Sequence, residues 1–334
     1  MVSGVRWGVV GYGWVARDYM VPGIEAAGGA LAAVADPGTP ARAEAARRGV
    51  PAYANLAGML DRERIDALYV ASPNRAHPQA VTAAAAAGVP VLCEKPMAAD
   101  LTGAEAMGRA VRRAGLLYGT AYDQRHHPAH VTLRDAIREG AAGRIAAIRI
   151  AYCCWVDPAW SQGTGANWRA DPKAAGGGAV VDLAPHGLDL CQMLLGEPVA
   201  DLHVLTQTRV HDYAVEDGGI VSGRTASGVL VSLHVAYNTP EALPRRRLEV
   251  IGSEAMLTAT DTMGQTAGGQ LTRTDGASGE VMRLPFDEAA SPFARQAAAF
   301  QGALRGEPHD FDLDRDLTLT RRFFAAFAEA RPCR

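Results

Sequence analysis

The 334-residue sequence has no surplus of either charge: 33 Lys and Arg against 36 Asp and Glu leave a net −3. That near-balance excludes a partner chosen by bulk electrostatics, such as nucleic acid or an anionic membrane surface, and the densest basic run, 245–247, is too short a footprint for either. Cysteine is scarce and odd in number, five in all, and no pair has the CxxC spacing of a zinc knuckle or a thioredoxin-like site. No metal site is expected, and the thiols are expected to be reduced and mostly buried. Long apolar runs are also missing. Nothing approaches the ~18 uninterrupted residues of a membrane-spanning helix, and Met1-Val2-Ser3-Gly4 carries no basic leader, so a cytoplasmic location is expected.

What is present is enough apolar residue, 48 %, for sizeable cores, and a length that suits two domains. Residues 5–10 form an apolar strand ending in Gly11-Tyr12-Gly13-Trp14-Val15-Ala16, followed by a helical pattern up to Pro22. This GxGxxA arrangement suits a dinucleotide: Gly11 permits the tight turn, Gly13 lets backbone approach a pyrophosphate, and Ala16 keeps the helix close to the sheet. The next strand, 31–35, ends in Asp36, where a carboxylate would meet the adenosine ribose hydroxyls of NAD. A 2′-phosphate would face like charge there, which favours NAD, while Arg42, Arg47 and Arg48 keep NADP open. The alternative is an Asp36 that only starts a turn before Pro37.

Strand and helix alternate onward: helix 41–49, strand 65–71, helix 78–88, strand 89–93, helix 101–115 and strand 116–121. That order predicts an α/β, doubly wound parallel sheet over 1–122, with Ser72, Asn74 and His77 on the same carboxyl edge as Gly11. Glu94-Lys95-Pro96 ends the strand 89–93 on that edge, where open parallel sheets place their ligands. Lys95 is therefore a candidate for chemistry, against the alternative of an exposed turn lysine.

After residue 122 the pattern changes. A helix is expected over 124–139, then strand patterns at 143–155, 201–209, 218–225, 228–237 and 247–260, joined by Gly-containing turns. They predict a second, α+β domain over 123–334 with an antiparallel sheet. Helices at 292–305 and 313–330 close the chain, with the option of packing back on the first domain. Inside the second domain, Gly176-Gly177-Gly178 precedes a helical pattern from Ala179 that carries Asp182 and His186 four apart, hence on one face. The glycines would let backbone pass close to a bound ligand, and a histidine with a carboxylate is a proton-transfer device. Pro185 leaves two options: the helix kinks there, or it begins near Ala184.

Taken together, Gly11–Ala16, Ser72-Pro73-Asn74, Glu94-Lys95-Pro96, Trp168-Arg169 and Gly-Gly-Gly-x-x-x-Asp-x-x-x-His-x-x-Asp resemble the motifs of the Gfo/Idh/MocA oxidoreductases, in order and spacing, over essentially the whole chain. The resemblance implies an N-terminal Rossmann dinucleotide-binding domain and a C-terminal domain with an open, mostly antiparallel sheet whose free face makes homodimers or homotetramers. It also implies catalytic Lys95, Asp182 and His186, with Lys95 polarising a substrate oxygen and His186 as acid/base. Ser72, Asn74, His77, Glu94, Lys95, Arg125, Trp168 and Arg169 would join Gly11, Tyr12, Gly13, Trp14, Val15 and Asp36 around NAD. Arg125, Tyr152, Tyr237, Lys95, Asp182 and His186 would meet the substrate, a sugar, sugar derivative or cyclitol. Two alternatives stand beside this: a redox-neutral glycoside-processing enzyme that retains NAD, and a non-catalytic, cofactor-binding regulator.

Overall fold

Strand β1 (Arg6–Val10) lies in the middle of a six-stranded sheet, parallel to β2 (Ala30–Ala35) on one side and β4 (Ala67–Val70) on the other. With β3 (Ala52–Tyr53), β5 (Val91–Cys93) and β6 (Tyr118–Thr120) the order is β3-β2-β1-β4-β5-β6, all parallel. The computed structural model describes residues 4–160, 167–212, 214–330 and 332–333. Helices on both faces explain why β4 is buried at every position. Trp7, Val9, Tyr69 and Leu92 point to one layer with Met20, Ile24 and Phe300; Leu68, Val70, Val91 and Cys93 point to the other with Met107, Val111 and Leu317. The strand order reverses between β1 and β4, and such a switch point opens a crevice at the carboxyl ends of the strands.

This sheet belongs to one of two units, comprising Met1–Ala121, Ala159–Gly176 and Phe293–Thr320. The unit is therefore discontinuous in sequence, and Phe293, Ala297, Phe300 and Leu317 of its last segment pack into its apolar layers. The helix after β1 differs from its sequence pattern: a π-helical stretch, Ala16–Met20, runs on into an α-helix, Val21–Ala26. Pro22 does not end it, since the missing N–H falls in the first turn of the α segment, where little is lost.

The other unit holds Tyr122–Pro158, Gly177–Pro292 and Arg321–Arg334. Its nine-stranded sheet has the order β14-β13-β12-β11-β7-β10-β9-β8-β15. The members are β7 (Ile145–Cys153), β8 (Val199–Gln207), β9 (Gly218–Thr225), β10 (Leu230–Ala236), β11 (Arg246–Gly252), β12 (Ala255–Thr260), β13 (Gln270–Asp275), β14 (Val281–Arg283) and β15 (Pro332–Cys333). Most pairs are antiparallel, but β7 runs parallel to β10, and β15 to β8. A parallel partner needs a long crossover, and the chain leaving β7 carries the helix Ala179–Leu195 before it returns through β8 and β9. The single strand pattern over 247–260 is in fact a hairpin, β11 and β12, and β13 and β14 had no counterpart in the sequence reading.

The helix Ala179–Leu195 is continuous, with Pro185 inside it. Fourteen of its seventeen residues are buried, which outweighs the roughly 3 kcal/mol that an interior proline costs. Gly187 lets this helix settle on the sheet: a Cβ there would lie 2.4 Å from Leu233 Cδ2. Among the described residues no helix is long and apolar enough to cross a membrane, and no group of His, Cys, Asp and Glu is placed to hold a metal ion.

Candidate active site

Gly11 is demanded twice over. Its φ is +82°, in the left-handed region, and a Cβ on it would sit 2.6 Å from the Ala71 carbonyl and the Ser72 nitrogen. The loops leaving β1 and β4 therefore touch across the switch point. Gly13 is different: a Cβ there would meet nothing within 4 Å. The chain itself has no need of a glycine at this position, whereas a pyrophosphate approaching the backbone does. On that observation the loop fits a dinucleotide.

Asp36 completes the loop. Its Oδ2 accepts from Tyr12 N at 2.8 Å and its Oδ1 from Gly38 N at 2.7 Å. An ionised carboxylate has about four acceptor positions, so the half-buried group keeps capacity for a ribose diol. The neighbouring arginines are committed elsewhere. Arg42 Nη1 donates to the carbonyls of Asp36 and Pro37, Arg48 to Tyr12 Oη and Glu25, and Arg47 to Glu44. Tyr12 is itself in the core, while Val15 and Trp14 are half-buried, with the Trp14 ring edge-on to Tyr19 and Trp160.

The Lys95 turn is braced from beneath. Tyr69 Oη donates to Glu94 Oε1 at 2.5 Å, and the fully buried His77 places Nδ1 3.1 Å from Pro96 O and Nε2 2.8 Å from Ser72 O. Burial pushes the His77 pKa down, partly offset by the carbonyls around it. His77 thus ties the turn after β4 to the turn after β5, and lies under the surface it was expected to line. The Lys95–Pro96 peptide bond is cis. Asn74 is also buried, its amide donating to Ala175 O at 2.8 Å; Ser72 Oγ is buried without a hydrogen-bond partner. Trp168 and Arg169 fall on the short turn Trp168–Ala170, with the guanidinium over the rings of Trp168 (4.4 Å) and Trp160 (5.1 Å).

The second unit carries the titratable side chains on the helix Ala179–Leu195. Gly178 precedes it because a Cβ would lie 2.0 Å from Glu216 O, and Gly176 because a Cβ would meet Ala99 O at 2.0 Å. These glycines therefore make room for protein backbone, where a ligand had been expected. Glu216 accepts from Val180 N at 3.1 Å in the first turn of the helix, where the macrodipole favours an anion. Burial pushes its carboxyl up, while the helix N–H groups draw it down.

On the helix, Asp182 Oδ2 accepts from Tyr237 Oη at 2.6 Å. His186 is 4 % exposed, with its Nδ1 3.5 Å from Asp123 Oδ1. The rings of Tyr152 and Tyr122 stand edge-on to the imidazole at 5.6 and 6.4 Å. Burial, then the nearby Asp123 charge, pushes the Tyr152 hydroxyl well up, so it stays protonated. Arg125 Nε donates to both oxygens of Asp189, at 2.9 and 2.7 Å, in a buried ion pair. Asp123 and Glu216 had escaped the sequence reading, which carried Asp189 only as the last residue of the glycine-rich motif. Of these, Asp123 could have been noticed as the acid at the start of the turn that carries Arg125.

A dinucleotide loop on a 3-2-1-4-5-6 parallel sheet, with a lysine at its carboxyl edge, and a helix bearing His186 among carboxylates define a nicotinamide-dependent oxidoreductase. Family models agree: the oxidoreductase family with an NAD-binding Rossmann fold matches residues 5–122, and the Gfo/Idh/MocA C-terminal domain matches 130–258. The chain belongs to the Gfo/Idh/MocA oxidoreductases. It is 33 % identical over 307 residues to 1,5-anhydro-D-fructose reductase of Ensifer adhaerens, covering 90 % of this chain and 88 % of that one. It is 32 % identical over 190 residues to levoglucosan dehydrogenase of Pseudarthrobacter phenanthrenivorans, covering 56 % and 47 %. The aldose–aldose oxidoreductase of Caulobacter crescentus has the same fold, with a TM-score of 0.85 at 23 % identity over 98 % of both chains.

Proposed function

We propose that the protein moves a hydride between NAD and a secondary alcohol or ketone of a sugar, sugar derivative or cyclitol. The observation that carries this reading is the buried His186 beside the Asp123 carboxylate, a group able to exchange a proton. Bound nicotinamide supplies the hydride acceptor or donor. In oxidation His186 takes the hydroxyl proton as the carbon gives up its hydride, and the Lys95 ammonium donates to the same oxygen and stabilises its developing charge. Reduction reverses the roles. Asp182, held by Tyr237, favours the imidazolium electrostatically. The sugar-acting relatives support this substrate class. A panel of ketoses, anhydrosugars and inositols, followed by nicotinamide absorbance, tests it; protein that binds NADH yet turns over no member of the panel would sink the reading.

NAD is the proposed cofactor. A 2′-phosphate would meet the Asp36 carboxylate, at a cost of about 1–3 kcal/mol, so kcat/KM with NAD should exceed that with NADP by roughly ten- to a hundredfold. Asp36→Ser should narrow the ratio. A variant whose preference is unchanged would remove Asp36 from cofactor selection.

For assembly we propose a homodimer or homotetramer through the sheet of the second unit. Its outward face presents Leu205, Ile220 and Leu230, 66, 37 and 59 % exposed, and Leu205 and Ile220 are register partners. Light scattering at micromolar concentration would show a multiple of the chain mass; a monomer would contradict this.

A further inference from the structure

The sequence motif pairs His186 with Asp182, one helical turn back. In the structure another carboxylate stands at the ring. Asp123 opens the short turn Asp123–His126, and its Oδ1 lies 3.5 Å from His186 Nδ1, with the two side chains 7 and 4 % exposed. That spacing is long for a hydrogen bond and suits an ion pair. The other oxygen of Asp123 accepts from Gln124 Nε2 at 2.9 Å. Gln124 is fixed in turn: its Nε2 also donates to Gly264 O at 3.1 Å, and its backbone oxygen lies 2.9 Å from His130 Nδ1. The carboxylate is therefore aimed by its own scaffold. Asp182 is engaged by the Tyr237 hydroxyl on its Oδ2.

We infer that Asp123 is the positioning carboxylate of His186, accepting Nδ1–H and so leaving Nε2 as the nitrogen that exchanges a proton with substrate. The inference deepens the proposed function, since it takes His186 as the acid/base. Other groups around the ring do not duplicate the role. Tyr122 and Tyr152 present ring edges. Arg125, on the same turn as Asp123, is neutralised by Asp189. Arg246 on β11 is the register partner of Tyr152, and its Nε is buried without a hydrogen-bond partner. Asp123 Oδ1 stands 3.5 Å from the imidazole Nδ1, while Asp182 Oδ2 accepts from Tyr237.

The test needs neither substrate nor cofactor. In 15N-labelled protein, long-range proton–nitrogen spectra at high pH should show neutral His186 as the Nδ1–H tautomer, its signals identified by their loss in His186→Asn. The Nε2–H tautomer in the wild-type protein overturns the inference, whatever the variants do. A nearby carboxylate favours the charged ring, so Asp123→Asn should lower the His186 pKa by about one unit, and Asp182→Asn by less. An unchanged pKa in folded Asp123→Asn, or a larger shift in Asp182→Asn, overturns it as well. In turnover, the limb of the pH profile set by His186 should move to lower pH in both reaction directions. A group that merely held the fold would lower kcat without moving that limb. Should no sugar be turned over, the tautomer and the titration still decide the role of Asp123.

Discussion

His186→Ala lowers kcat by about 10²–10⁴-fold, the usual contribution of a positioned acid/base, while NADH binds as tightly as before. The dinucleotide loop lies wholly in the first unit, and His186 in the second, so the variant should leave that loop untouched. Stopped-flow turnover and fluorescence titration with NADH separate the two effects. Some stability should also be lost. Removing a ring only 4 % exposed leaves a void, and large-to-small core changes cost about 2–5 kcal/mol, so the assay temperature must sit below a lowered Tm. A folded variant with near wild-type turnover would take His186 out of the mechanism.

Lys95→Met removes a charge and keeps much of the side-chain length. Loss of one donor to a developing oxyanion costs about 10²–10³-fold in kcat, and that is the drop expected here. Lys95→Arg should not restore the rate, because a planar guanidinium cannot place a point charge where the ammonium stood. Since Tyr69, Glu94 and His77 hold the turn beneath it, neither change should unfold the unit, which circular dichroism would verify. A Lys95→Met enzyme within about threefold of wild type would show that the ammonium does not act on the reacting oxygen.

The first half of the chain was legible because its signals are local. Parallel strands buried on both faces read as apolar runs, and Gly11 is forced by backbone geometry at a strand end. Pro22 and Pro185 misled, since the cost of a proline depends on what surrounds it: the first misplaced a helix end and the second left the helix start undecided. The hairpin β11–β12 was read as one strand because its two-residue turn, Ser253-Glu254, lacks the glycine or asparagine that usually marks such a turn. At the site, Lys95, Asp182 and His186 stood out by motif. Asp123 did not, since its partner lies 63 positions away and only the fold brings a turn after β6 against a distant helix. Asn74 and His77 were visible as polar residues at a strand end, yet nothing in the sequence tells a side chain above a turn from one beneath it.

The bracing of Lys95 bears on how such a protein can change over generations. The contacts described for the lysine turn come from Tyr69, Ser72 and His77, all encoded within the first 121 residues, and those described for His186 come from Tyr122, Asp123 and Tyr152 in the other unit. Mutations that reshape the second unit for a new sugar therefore leave the supports of the lysine intact. On the roles proposed above, substrate preference can drift under selection while the part assigned to Lys95 is inherited unchanged, and a library confined to residues 122–158 and 177–292 should sample new specificities without having to rebuild it.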